Sequence, residues 1–116
     1  MYYTYMLRCQ DNTIYTGIAK DLNHRMEEHF LRTEQCAKYT KVHQAKKLEA
    51  AWQSETRSLA SKLEYQLKKL TKSQKERLIK HTETLTTLLG EHIQTEEYQR
   101  IEKNSRNGKG KKISES

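Results

Sequence analysis

Apolar positions in the first third of the chain follow two different rhythms. Residues 2 to 9 are rich in Tyr and Thr, with Met6 and Leu7 among them, and read as a β-strand. Gln10, Asp11 and Asn12 make a polar turn signal, and Thr13 to Ile18 is a second β-prone run. Two such runs joined by a few polar residues predict a hairpin. From Asp21 the rhythm changes. Leu22, Met26 and Phe30 recur every fourth residue, which is one face of an α-helix with Asp21 as its N-cap.

Residues 33 to 45 show no clear period and read as a loop that includes Tyr39 and Thr40. Lys47 to Gln53 carries Leu48, Ala50 and Trp52 at period two, which predicts a third strand with Trp52 as its main apolar contribution. Leu59, Leu63, Leu67 and Leu70 fit one helical face, with Thr56 or Ser58 available as cap. Thr71 or Ser73 can cap a shorter helix that ends near Lys80. The order β-β-α-β-α-α predicts an α+β domain over residues 1–81: a small three-stranded antiparallel sheet flanked by helices. Leu85, Leu88, Leu89, Ile93 and Ile101, interrupted by Gly90, predict an amphipathic helical extension over residues 82–102, a C-terminal helix. Residues 103–116 form a basic, glycine-containing tail, expected to be disordered.

Composition adds a partner. The chain has 116 residues, 34% hydrophobic and 32% charged, so its core must be small. Lys and Arg number 22 against 15 acids, a net charge of +7. That balance suggests an anionic partner, most often nucleic acid; a merely soluble basic protein is the plain alternative. The charge is unevenly spread: residues 57 to 81 are strongly basic and residues 83 to 102 acidic. The acidic segment is expected to cover the domain's own core or to pair with a second copy or a protein partner. Cys9 and Cys36 show no CxxC or Cys/His spacing, which argues against a structural zinc site. No apolar run approaches the roughly 20 residues of a membrane span. The stretch MYYTYMLRCQ is broken by Arg8 and Gln10 and does not read as a signal peptide. A cytoplasmic protein with reduced thiols and no membrane partner is expected.

Three groups of residues carry candidate chemistry, and each has a bland reading. Tyr3, Tyr5 and Tyr15 lie on the hairpin, where tyrosine is ordinarily a packing residue. Arg25 and His29 are four apart and share a helix face, ordinarily a solvated one. Glu64 is four residues before Lys68, the spacing of a simple ion pair.

Together they resemble a known pattern. Tyr3-Thr4-Tyr5 followed by Tyr15-Thr16-Gly17 resembles the two halves of the signature of the GIY-YIG nuclease superfamily. The segment Asp21-Leu22-Asn23-His24-Arg25 matches the family's helix arginine, His29 falls where members carry a histidine or tyrosine, and Glu64 falls where the metal-binding glutamate lies. The resemblance covers roughly residues 1 to 80 and is strongest to the small stand-alone bacterial members, whose hairpin reads YYxYxLxCxDxxxYTGI. Here the first half of the signature lacks glycine and isoleucine, and residues 35 to 45 lack the usual Gly and Pro.

The resemblance implies a metal-dependent DNA endonuclease with catalytic residues Tyr5, Tyr15, Arg25, His29 and Glu64. Glu64 is expected to hold a single Mg²⁺ or Mn²⁺, with water completing its shell. Arg25 is expected to offer a fork of donors to phosphate oxygens. A tyrosine, with a reference pKa near 10, acts as a base only where adjacent positive charge favours its phenolate. The resemblance gives that role to Tyr15, with Tyr5 positioning water or phosphate. Gly17 is expected to let the backbone approach the site. Lys68, Lys69, Lys72 and Lys75 are expected to follow the DNA backbone. No sequence-reading module is visible, so the expected substrate is a DNA structure or lesion, in repair or recombination. The alternative is a non-catalytic nucleic-acid-binding module on the same fold.

Overall fold

The computed structural model describes residues 1–31 and 37–101. Cys36, most of the first part of the predicted 33–45 loop and the basic tail lie outside the described residues. Strands β1 (Tyr2–Cys9) and β2 (Ile14–Ala19) form the predicted hairpin, paired antiparallel with Tyr5 opposite Gly17 and Leu7 opposite Tyr15. Its turn places Asn12 at φ 70°, a left-handed conformation that Asn tolerates better than most residues. Helix α1 (Leu22–Leu31) starts on the predicted cap, the Asp21 carboxylate accepting from the backbone N–H of His24 at 3.1 Å.

Part of the predicted loop is helical: α2 spans Lys38–Val42. Strand β3 (Ala45–Ser54) then pairs with β1 on the side away from β2. Helix α3 (Arg57–Lys68) is capped by Thr56 and α4 (Lys72–Lys80) by Thr71, which forms a full capping box with Gln74. A short helix α5 (Thr84–Leu89), a 3₁₀ turn (Thr95–Glu97) and a two-residue strand β4 (Gln99–Arg100) follow.

The sheet therefore has four antiparallel strands in the order β2-β1-β3-β4, not three. The predicted extension is not one helix. Gly90 ends α5, and the chain turns back so that β4 pairs with β3 beside Trp52 and Gln53. Its apolar residues fold onto the domain instead of forming a separate stripe: Leu85, Leu89, Ile93 and Tyr98 join Met6, Trp52, Leu63, Leu67 and Leu78 in one buried cluster. No described helix is long and apolar enough to cross a membrane.

The second cluster lies on the other face of the sheet and contains Tyr5, Leu7, Leu22, Met26, Leu48 and Ala51. Leu48 is thus on the opposite face from Ala50 and Trp52, against the simple alternation. A register shift between Met6 and Leu7 pairs them with Ala50 and Leu48. Glu49 is the extra residue of this bulge. Its buried carboxylate accepts from Arg8 Nε at 2.7 Å, while the two terminal nitrogens of Arg8 donate to both oxygens of Glu76 at 2.6 and 2.7 Å. This bidentate pair fastens α4 to the hairpin.

Candidate active site

The face of the sheet under α1 is where the predicted residues meet. Tyr5 stands on the central strand β1 and is fully buried, although its ring ends in a hydroxyl. A buried hydroxyl requires partners, and it has two. It lies 2.7 Å from Nε2 of His29 and is also hydrogen-bonded to Arg25. His29 is itself fully buried, with Nδ1 at 2.8 Å from Thr40 Oγ1. The hydroxyl of Thr40 donates to the carbonyl of Ala37, so its oxygen is left to accept from His29 Nδ1–H. The imidazole is then neutral, with a lone pair on Nε2 that accepts the Tyr5 proton. Arg25, which can only donate, supplies the bond on the oxygen side of Tyr5.

These contacts set the ionisation of both groups. Burial, reinforced by the neighbouring Tyr15, pushes the Tyr5 phenol well above the usual tyrosine range. Burial, helped by the charge of Arg25, lowers His29 to about 4. For a histidine whose folded value is depressed, stability is complete above the unfolded pKa near 6.5 and is lost as pH falls towards 4. The expected loss is up to 1.4 kcal/mol per pH unit, about 3 kcal/mol over the whole window. Urea unfolding midpoints at pH 7 and pH 5, with wild type and His29→Gln, check this. Equal pH slopes for the two proteins over that range would remove His29 as the source.

Tyr15, on β2, is half-buried and packs its ring 6.2 Å from that of Tyr5 and 5.6 Å from that of His29. Gly17 leaves the space that the Tyr5 ring occupies. A Cβ there would stand 2.7 Å from Tyr5 Oη and 2.9 Å from Tyr5 Cζ and Tyr15 Cε2. Its φ is not positive, so the requirement is room rather than backbone conformation. Because hydrogen bonds pin the Tyr5 ring, Gly17→Ala is expected to destabilise the domain by about 1 to 3 kcal/mol and to break the Tyr5–His29 bond. Denaturant unfolding together with the imidazole NMR shifts of His29 tests it; wild-type stability with unchanged shifts would contradict it.

Arg25 is held by a second partner, donating to Glu28 at 2.6 Å. That carboxylate is also 3.1 Å from His24 Nε2. Glu64 comes from α3, and its negative charge adds the smallest of the influences on the Tyr5 phenol, after burial, Tyr15 and Arg25. Its ion-pair partner is Lys68 at 3.2 Å, so the bland reading of the i,i+4 spacing describes a real contact. Tyr5, Tyr15, Arg25 and His29 are thus joined by contacts with one another, while the contact that Glu64 makes is with Lys68.

With this arrangement in view, the comparisons are specific. The family model described as GIY-YIG catalytic domain matches residues 1–77. The chain belongs to the GIY-YIG family. A UPF0213 protein of Fusobacterium nucleatum is 49% identical over 78 residues, covering 67% of this chain and 76% of that protein. A UPF0213 protein of Staphylococcus aureus is 44% identical over 79 residues, covering 68% of this chain and 94% of that protein. Among solved structures, the solution NMR structure of a UPF0213 protein from Bacillus halodurans is 33% identical over 69% of this chain and 84% of that one, with a TM-score of 0.45.

GIY-YIG domains form a family of nucleases that generally use divalent metal ions. The described residues contain no group of three or more His, Cys, Asp or Glu side chains close enough to enclose an ion. A single carboxylate, Glu64, still suits a hard ion that keeps most of its water, as Mg²⁺ does.

Three residues in contact with this group, Glu28, Thr40 and Tyr39, were not singled out from the sequence as candidate site residues. Glu28 was signalled by its i,i+3 spacing from Arg25. Thr40 and Tyr39 carried no local signal. Thr40 sets the tautomer of His29, and the Tyr39 ring lies 5.3 Å from that of Tyr15 and stacks at 4.3 Å on His43. His43 in turn bonds Asp11 in the hairpin turn, and the Thr13 hydroxyl, followed by His43, holds that carboxyl down at about 2. Helix α2 is thereby tied to His29 and Tyr15 through Thr40 and Tyr39, and to the hairpin turn through His43 at its C-terminal end.

Proposed function

We propose that this GIY-YIG protein is a metal-dependent DNA endonuclease that cleaves phosphodiester bonds, directed by a DNA structure or lesion rather than by base sequence. The observation that carries this reading is the Tyr5 hydroxyl, buried yet fully bonded between His29 and Arg25, with Tyr15 beside it and Gly17 making the room. Such a group is preorganised, and preorganised charge and donors are what phosphoryl chemistry requires of a protein.

Roles follow from access. Tyr5 and His29 are fully buried and donate or accept within the protein, so both act as positioning residues. Tyr15 is the tyrosine of the group that reaches the surface, and it takes the proton from the attacking water. Arg25, aimed by Glu28 and Tyr5, meets the non-bridging oxygens of the phosphate. Glu64 would hold Mg²⁺ or Mn²⁺ with water. The bound ion would supply positive charge beside the scissile phosphate, where negative charge accumulates. Lys68, Lys69, Lys72 and Lys75 extend the positive surface along α3 and α4, and Lys68 must leave Glu64 for an ion to be held there.

The test is incubation of the full chain with duplex, nicked, branched and single-stranded DNA, with Mg²⁺, Mn²⁺ or a chelator. Metal-dependent cutting of one or more of these supports the reading. Tight binding without cutting under any of these conditions overturns it in favour of a binding module.

A further inference from the structure

Three aromatic side chains make a row that leads out of the site. The Tyr39 ring lies 5.3 Å from that of Tyr15, tilted by 30°, and stacks on that of His43 at 4.3 Å and 25°. The inner end of the row rests on Tyr5 and His29, which the Tyr15 ring approaches at 6.2 and 5.6 Å. Both of these are fully buried. Tyr39 is half-buried, and the His43 side chain at the outer end is 33% exposed. The row therefore runs from the buried centre to the surface.

Packing of α2 onto the hairpin is the plain explanation of these rings. Other groups already do that work. Thr40, buried, bonds His29, and Asp11 in the hairpin turn bonds His43 Nδ1. The backbone N–H of Gln10 donates to the carbonyl of Gln44 at 2.7 Å, and that of His43 to the carbonyl of Tyr39 at 2.8 Å. None of these ties uses the face of a ring. The Tyr39 hydroxyl has no hydrogen bond among the described residues, in contrast to those of Tyr5 and Tyr98. This tyrosine thus acts through its ring.

A phosphate held at Tyr15 and Arg25 brings its flanking base with it, one sugar away, and the surface beside Tyr15 is this row. Flat aromatic rings offer a base a stacking partner whichever base it is. A base inside a duplex has both faces covered by its neighbours, so only one that has left the stack can use the row.

We infer that Tyr39 and His43 are a stacking platform for one unpaired base next to the scissile phosphate. The inference rests on the nuclease reading above and names what that site recognises: a strand whose base is free at the point of cutting. Tyr39 and His43 take no part in the chemical step, and Asp11 is a positioning residue that sets the plane of the His43 ring.

The test uses the full chain in chelator, so that affinity is read without cleavage. Two labelled strands of equal length are compared: an oligothymidylate, and an abasic strand with the same phosphates and no bases. Wild-type protein is expected to bind the oligothymidylate on the order of tenfold more tightly. Tyr39→Leu keeps an apolar side chain and removes the ring. It should lose this preference while binding the abasic strand as the wild type does, and Tyr39→Phe should retain the preference. Equal wild-type affinity for the two strands would overturn the platform and leave the nuclease reading standing. So would a Tyr39→Leu protein that still prefers the oligothymidylate. Equal losses on both strands for Tyr39→Leu would overturn it too, since the ring would then support the fold. Wild-type protein with no affinity for either strand at low salt would overturn the platform and the nucleic-acid reading together.

Discussion

Glu64→Gln is expected to abolish metal-dependent cleavage, by on the order of a hundredfold or more, while leaving DNA binding in chelator unchanged or slightly tighter. Glutamine keeps the size of the side chain and removes the charge that a hard cation requires. The sign of the binding effect comes from Lys68. In the wild type its ammonium is engaged by Glu64 at 3.2 Å. The substitution frees it and moves the net charge one unit above +7, which favours a polyanion. Gel cleavage assays with Mg²⁺ and Mn²⁺ and anisotropy measurements in chelator give the two readouts separately. Cleavage by Glu64→Gln at the wild-type rate would remove Glu64 as the metal ligand. Loss of binding along with cleavage would mean that the side chain supports the fold of α3 instead.

A chain ending at residue 81 is expected to lose most of its stability. The family match stops at residue 77, yet the core does not. Leu85, Leu89, Ile93 and Tyr98 are buried against Trp52, Leu63, Leu67 and Leu78. Burial of four such side chains contributes roughly 6 to 12 kcal/mol, the same order as the whole stability of a small domain. Polar ties are lost as well: Tyr98 Oη donates to the carbonyl of Leu59 at 2.7 Å, and Arg100 donates to the carbonyls of Leu78 and Ile79 at 3.3 and 3.0 Å. The Arg100 guanidinium also lies 5.3 Å from the centre of the Trp52 ring. Truncation leaves Trp52 and Leu78 facing water. Circular dichroism melts and dye binding to exposed apolar surface measure it. A cooperative transition of the 1–81 fragment at the full-length temperature would refute the estimate.

Local patterns in the sequence were sufficient for the elements that depend on near neighbours. The hairpin followed from two β-prone runs and a polar turn, α1 from Leu22, Met26 and Phe30 behind Asp21, α3 from its leucine spacing with Thr56 or Ser58 as cap, and α4 from Thr71 or Ser73 as cap, because caps and helix faces are decided within a few residues. The family signature was legible for the same reason, since Tyr5, Tyr15, Gly17 and Arg25 fall at characteristic spacings on those elements. Pairings between distant segments were decided only in the folded chain. A bulge at Glu49 turned Leu48 to the other face, and no alternation in the sequence announces an inserted residue. Residues 84–101 look amphipathic, and periodicity alone does not say that Gly90 will end the helix and return the chain to β3. The bonds that define the site belong to this second kind. Thr40 fixes the proton of His29 from eleven residues away, and Arg8 holds Glu76 across 68. Both rest on a backbone path that brings buried polar groups to the partners they require.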